Sequence, residues 1–190
     1  MTSEGEDALR DMVTRSRGTA RTDPATLIGL VALAAVATAW WLQWRGYAPC
    51  ELCLKERFPY YVGIVLSGAL ALGTVLRPLG RRRETALRFG YALLALVWIA
   101  SAAFGVYHAG VEWMLWAGPA ECSGAAAAPA AVGDFLKQLQ TVTVVRCDEA
   151  ALQVLGLSLA AWNAILSGVL AGLSVMGTLG PPKPQARAGS

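Results

Sequence analysis

Residues 24–44 read PATLIGLVALAAVATAWWLQW, 21 positions without one charged side chain. As an α-helix this stretch is about 30 Å long, the thickness of the hydrocarbon core of a bilayer. A helix buried in a water-soluble core would carry polar residues every few positions to mark its outer face, and those marks are missing. Three further stretches repeat the pattern. Residues 58–76 and 89–111 are uncharged, the second interrupted only by His108, the one histidine of the chain. A fourth stretch runs uncharged from Ala150 to Pro182, with Gly156 to Leu179 its best spanning part. The expected fold is all-α, an integral membrane four-helix bundle with spans at about 24–44, 58–76, 89–111 and 157–179. They form one domain over 24–180, between an N-terminal tail (1–23) and a C-terminal tail (181–190).

Composition agrees. Of 190 residues, 55% are hydrophobic and 15% charged, against about 25% charged in an average soluble domain. Disorder needs low hydrophobicity and high net charge, so it is excluded for most of the chain. A net charge of +3 makes no dense basic surface for nucleic acid, and the expected surroundings are lipid. The first stretch begins only after 23 mostly polar residues and is longer than a signal-peptide core of about 7–15 residues, so it reads as an uncleaved anchor. The segment before it, Thr2 to Asp23, mixes four Arg with five acids and reads as a tail without an assigned function.

Orientation follows from the basic residues. The face holding both tails and the middle loop carries 11 of the 16 Lys and Arg, including the run Arg81-Arg82-Arg83; the other face carries Arg45, Lys55, Arg57, Lys137 and Arg146. The positive-inside rule places both termini in the cytoplasm. Counted with the acids, the inner face is +5 and the outer face −2. Trp40, Trp41, Trp44, Tyr60, Tyr61, Tyr107, Trp113 and Trp116 all fall at the outer ends of spans, where amphipathic rings favour the headgroup region.

The four cysteines lie on that outer side too, Cys50 and Cys53 in the first loop, Cys122 and Cys147 in the second. Disulfides persist outside the cytosol, so the placement points to thiol–disulfide chemistry or structural bridges. Four cysteines allow three pairings, among which sequence alone does not choose. Local geometry favours Cys50 with Cys53, which leaves Cys122 and Cys147. A two-residue gap closes too short a loop to stabilise much. It suits redox exchange instead, because the second thiol resolves a mixed disulfide. Pro49, at the first position of a helix, would set both thiols beside free N–H groups and the positive end of the dipole, which favours thiolate. Arg57, four residues after Cys53 and seven after Cys50, shares their face if the segment is helical; its plainer reading is an interfacial residue. Pro59 removes one helical hydrogen bond and is expected to kink the CxxC turn away from the second span. Zinc is the chemical rival, but the second half-site has a 24-residue gap and no histidine nearby in sequence.

Several runs resemble the disulfide-bond formation protein B (DsbB) family. Pro49-Cys50-Glu51-Leu52-Cys53-Leu54-Lys55-Glu56-Arg57-Phe58-Pro59-Tyr60-Tyr61 is similar to its first periplasmic loop and second span. Tyr107-His108-Ala109-Gly110-Val111-Glu112-Trp113, with Gly118-Pro119 and Cys122, resembles the exit from its third span. Cys147-Asp148-Glu149 and Gly156-Leu157-Ser158-Leu159-Ala160-Ala161-Trp162-Asn163 resemble the approach to its fourth. The likeness covers about residues 25–180 in matching order. Lys55 departs from the bulky aromatic or apolar residue expected there.

The resemblance implies a bacterial inner-membrane enzyme with two periplasmic redox loops, which re-oxidises a thioredoxin-like DsbA-type dithiol partner and passes the electrons to a quinone, ubiquinone or menaquinone. Carried over, Cys122 forms the mixed disulfide with the partner and Cys147 completes that pair. Electrons then reach Cys50 and Cys53 through a transient Cys53–Cys122 bond. Cys53 faces the quinone, Arg57 stabilises thiolate and reduced-quinone charge, and His108 matches a histidine near the quinone. Glu112 is a weaker candidate, with an interfacial carboxylate as its plainer role. From the residues themselves, the small, Pro-containing segment 123–131 reads as a flexible linker. Phe135, Leu136 and Leu139, interleaved with polar residues, read as a short amphipathic helix or a partner surface. Two rival classes differ in testable ways. A vitamin K epoxide reductase type enzyme has its loop cysteines before the CxxC, the reverse of the order here. A non-enzymatic helix protein with two structural bridges would lose stability, and no electron transfer, when Cys53 is removed.

Overall fold

The computed structural model describes residues 23–75, 80–119, 122 and 145–179, without the side chains of 75 and 80–83. The tail before Asp23, Arg77, the side chains of the Arg81–Arg83 run, the linker 123–131, the amphipathic segment after it and residues 180–190 lie outside the described residues. Among the described residues there are four helices, α1 (Pro24–Trp44), α2 (Glu51–Val75), α3 (Gly80–Glu112) and α4 (Leu159–Leu179). A two-stranded hairpin, β1 (Gln153–Val154) and β2 (Leu157–Ser158), precedes α4.

Local sequence explains each boundary. Pro24 opens α1, where its missing N–H costs nothing. The helix closes in a Schellman turn. Gly46, at φ +97°, donates to the Gln43 carbonyl and Tyr47 donates to that of Leu42. That turn reverses the chain into Pro49 and Cys50. The hairpin turns on Leu155 and Gly156, both at positive φ, as a two-residue loop requires. Trp162 Nε1 donates to the Val154 carbonyl at 2.9 Å and pins the hairpin to α4. Ser158 caps α4, its Oγ accepting from the Ala161 N–H at 3.2 Å.

α1, α3 (from Glu84) and α4 are each long and apolar enough to cross a membrane. α2 joins a charged head (Glu51, Lys55, Glu56, Arg57) to an apolar remainder from Phe58. Three boundaries differ from the sequence expectation. α2 begins seven residues before its expected span and α3 nine before, because counting uncharged residues measures the part in lipid and misses polar turns that continue the helix. The start expected near 157 is taken by β2, and the helix begins at Leu159. Pro59 lies inside α2, so the CxxC turn and the apolar stretch belong to one helix. The hydrogen bond it removes belongs to Lys55, an exposed residue where loss of that bond is least costly.

α3 packs most extensively on α4, α1 on α2, α2 on α3, and α1 more lightly on α4, which closes a ring of four. The central core joins Ile28, Tyr60, Leu70, Tyr91, Leu94, Trp98 and Leu170. Tyr60 meets the edge of Trp98 with ring centroids 5.0 Å apart. Ser67, Ser101, Ser167 and Ser174 are fully buried, whereas Leu30, Val65, Leu96, Ile99, Val169 and Met176 are exposed. Small polar groups inside and large apolar ones outside invert the soluble pattern and fit a multi-pass membrane protein. The inner hydroxyls bond across helices, Ser101 Oγ to Ser167 Oγ at 2.9 Å and Tyr60 to Asn163 Oδ1 at 2.6 Å.

The α3–α4 contact needs Gly105. A Cβ there would lie 2.9 Å from the backbone nitrogen of Ala164, which cannot move alone, whereas a Cβ at Gly68 meets nothing within 4 Å. Gly105→Ala is therefore expected to destabilise the bundle by about 1–3 kcal/mol through overpacking. Gly68→Ala is expected to be neutral or stabilising by up to about 1 kcal/mol. Denaturation of the detergent-solubilised variants measures both.

Candidate functional site

Cys50 is the residue immediately before α2. Its carbonyl accepts from Leu54 at 3.1 Å, and its sulfur accepts from the Cys53 backbone N–H at 3.2 Å. The sulfur thus caps the helix, taking one of the N–H groups left free at its start. Pro49, expected at the first helical position, lies outside the helix; Glu51 takes that place. The Cys50 and Cys53 sulfurs are 2.6 Å apart and carry no assigned bond.

The structure brings His108, from α3, onto this pair. Its Nε2 lies 3.6 Å from the Cys50 sulfur and its Nδ1 3.0 Å from Glu56 Oε1. Cys50, His108 and Glu56 are all buried, His108 to 1% exposure. The row Glu56, His108, Cys50 can alternate charge, carboxylate, imidazolium and thiolate, so each buried charge meets its opposite. In the dithiol form the Cys50 thiol is pushed down to about 5. The hydrogen bond from the Cys53 thiol is the largest cause, followed, against burial, by His108 and the Cys53 N–H. Glu56 was not singled out in the sequence. The signal was available, since it follows Cys53 by three residues and shares its helix face, but the permanent charge of Arg57 one position on drew the reading instead.

Arg57 donates from Nη1 to Gln43 Oε1 of α1 at 2.8 Å. Its place is at the wall of the cavity described below, and His108 is the basic group bonded to a cysteine sulfur. Cys122 and Cys147 form a disulfide, with Cα atoms 5.1 Å apart. Both are buried in one apolar cluster with Cys50, Leu52 and Val111, against which Cys53, Phe104 and Tyr107 pack. All four cysteines therefore share one buried patch at the aromatic end of the bundle. There Trp40 donates to the Tyr61 hydroxyl, and Tyr107 stacks on Trp116.

Beside this patch lies a cavity of about 370 Å³. Ala35, Val36, Ala39 and Leu42 of α1 and Leu159 and Leu166 of α4 give it apolar walls, while Cys50, Cys53, Glu56, Arg57, Glu112 and Asn163 give it a polar end. Glu112 Oε2 is buried without a hydrogen-bond partner among the described residues, and the Asn163 side chain faces the Glu56 carboxyl. His108 does not line this space; it stands behind Cys50.

If this arrangement sets the Cys50 thiol, alkylation of the reduced protein at Cys50 should lose rate only as pH falls through about 5. His108→Asn should move that midpoint upward, but only part of the way to the ordinary thiol range, because the Cys53 thiol and N–H still bond to the Cys50 sulfur. Mass spectrometry of the alkylated peptides across a pH series reads both.

A search among known proteins adds a family match. The family described as "Disulfide bond formation protein DsbB" matches residues 21–177. The chain is 26% identical over 140 residues, 72% of its length and 76% of the relative's, to "Uncharacterized protein RP370" of Rickettsia prowazekii (strain Madrid E). No solved structure matches it. Four helices, two cysteine pairs in one buried patch and a profile match over most of the chain lead to one assignment: the protein belongs to the DsbB family, a family of membrane disulfide oxidoreductases.

Proposed function

We propose that the protein re-oxidises a periplasmic DsbA-type dithiol partner and delivers the electrons, through its two cysteine pairs, to a membrane quinone. The observation that carries this reading is the shared patch: a disulfide, a dithiol with a polarised thiol, and an apolar cavity touching that dithiol, all at one end of the bundle.

The cavity fits a quinone. Its apolar walls suit a ring and the start of a prenyl tail, and the Asn163 amide at its polar end supplies a donor for a carbonyl oxygen. Arg57 and Cys53 are at the same end. When bound, a quinone supplies a sink for two electrons and two protons. The partner's two thiols first reduce Cys122–Cys147, becoming a disulfide, with Cys122 in the mixed bond. The reduced Cys122 and Cys147 then reduce the Cys50–Cys53 disulfide in turn. Each exchange breaks one S–S bond, forms another and moves two electrons toward the cavity. His108, held by Glu56, stabilises the Cys50 thiolate each time that disulfide opens. On this reading the chain lies in the bacterial inner membrane with both termini cytoplasmic and the cysteine loops periplasmic, as its basic asymmetry supports.

Purified protein with a quinone and a reduced DsbA-type partner tests the route. Cys50→Ser and Cys122→Ser are each expected to lower partner-dependent quinone reduction by at least 1000-fold, followed by loss of quinone absorbance. Activity retained in either variant would remove this mechanism.

A further inference from the structure

The sequence offered no histidine near the CxxC pair, and the fold supplies one. Cys50 Sγ, Cys53 Sγ and a nitrogen of His108 lie within 4.8 Å of one another. The other nitrogen of that ring bonds to the Glu56 carboxylate at 3.0 Å. Two thiolates and an imidazole whose far nitrogen donates to a carboxylate form a ligand set for a thiophilic divalent cation, with its outer shell already in place. We propose that the reduced Cys50–Cys53 pair and His108 bind one Zn2+, and that this ion holds the pair in its dithiolate form.

The geometry suits the ion. Tetrahedral zinc, at about 2.3 Å from sulfur and about 2.0 Å from nitrogen, sets sulfur and nitrogen about 3.5 Å apart and two sulfurs about 3.8 Å apart. The Cys50–His108 separation is already 3.6 Å. The sulfurs, 2.6 Å apart, must open by roughly 1 Å. The Cys53 side chain, half-buried beside the cavity, has room for that change. Three protein ligands leave a fourth position for water from the cavity, and Glu112, with its unpartnered oxygen, lines the same space. Binding releases two protons, one from the Cys53 thiol and one shared between Cys50 and His108, and changes no oxidation state. The ion and the Cys50–Cys53 disulfide need the same sulfurs, so each excludes the other.

The test uses the full chain in detergent, with no quinone and no partner, so it stands or falls separately from the electron route. A Cys122→Ser/Cys147→Ser chain, with its remaining pair reduced, is titrated with Co2+. It should take up one ion with sulfur-to-cobalt charge-transfer bands and the strong visible bands of tetrahedral cobalt, both erased by one equivalent of Zn2+. Oxidised wild-type protein, which carries no mutation, should take up none. His108→Asn should weaken binding at least tenfold, and Glu56→Gln about 10–100-fold. Absence of stoichiometric binding to the reduced chain, uptake by the oxidised protein, or His108→Asn affinity equal to that of its parent would each overturn the proposal. If the double variant does not fold, reduced wild type is compared with reduced Cys50→Ser. Loss of one cobalt site supports the proposal, and equal uptake overturns it.

Discussion

At the head of α2 a sulfur atom occupies the place usually taken by a Ser, Thr, Asp or Asn oxygen. The Cys50 sulfur accepts the Cys53 N–H, and a thiolate there is favoured by the helix start as well as by the neighbouring thiol. A buried thiolate needs a compensating charge, which His108 can supply. A buried imidazolium needs one in turn, which Glu56 supplies. Since Cys50 and Glu56 belong to the α2 segment and His108 to α3, this row of charges also fixes how far one helix slides along the other. Removing one member leaves the next buried and unpaired, so the three residues act as a unit.

The remainder of the bundle holds that row in register. Gly105 lets α3 approach the backbone of α4, and His108 follows three residues later, so close contact sets the height of the imidazole. Below it, Tyr60, Asn163, Ser167 and Ser101 tie α2, α3 and α4 through hydroxyl and amide bonds. Such bonds hold helices together where lipid provides little hydrophobic drive between them. The lighter α1–α4 contact leaves space at the cysteine end, and the cavity opens there.

Much of this was legible in the sequence. The apolar helices follow from contiguous uncharged residues, and α1 coincides with the first of those stretches. The cysteines fall together on one side by counting loops alone, and the pairing of Cys122 with Cys147 follows once Cys50 and Cys53 are taken together. The Glu56–His108–Cys50 row was not legible. It depends on helix rotation between residues 52 positions apart, which hydropathy does not encode when charges are few. Glu56 was further hidden beside Arg57, whose permanent charge suggested a partner for the thiolate, whereas the structure sets His108 against the Cys50 sulfur. The head of α2 was missed for the opposite reason, because its charged residues ended the apolar count before the helix itself began.

The inside-out distribution of side-chain volume bears on how the chain tolerates change. Its outer surface needs only to be apolar, so exchange among Leu, Ile, Val and Phe at positions such as Val65 or Leu96 alters little. The interior has no spare room at Ser67 or Ser167, where added methylenes would force helices apart. A map of permitted substitutions along this chain is therefore the negative of the map for a soluble bundle: size is free where soluble proteins demand polarity, and restricted at small polar positions that a soluble core would fill with leucine.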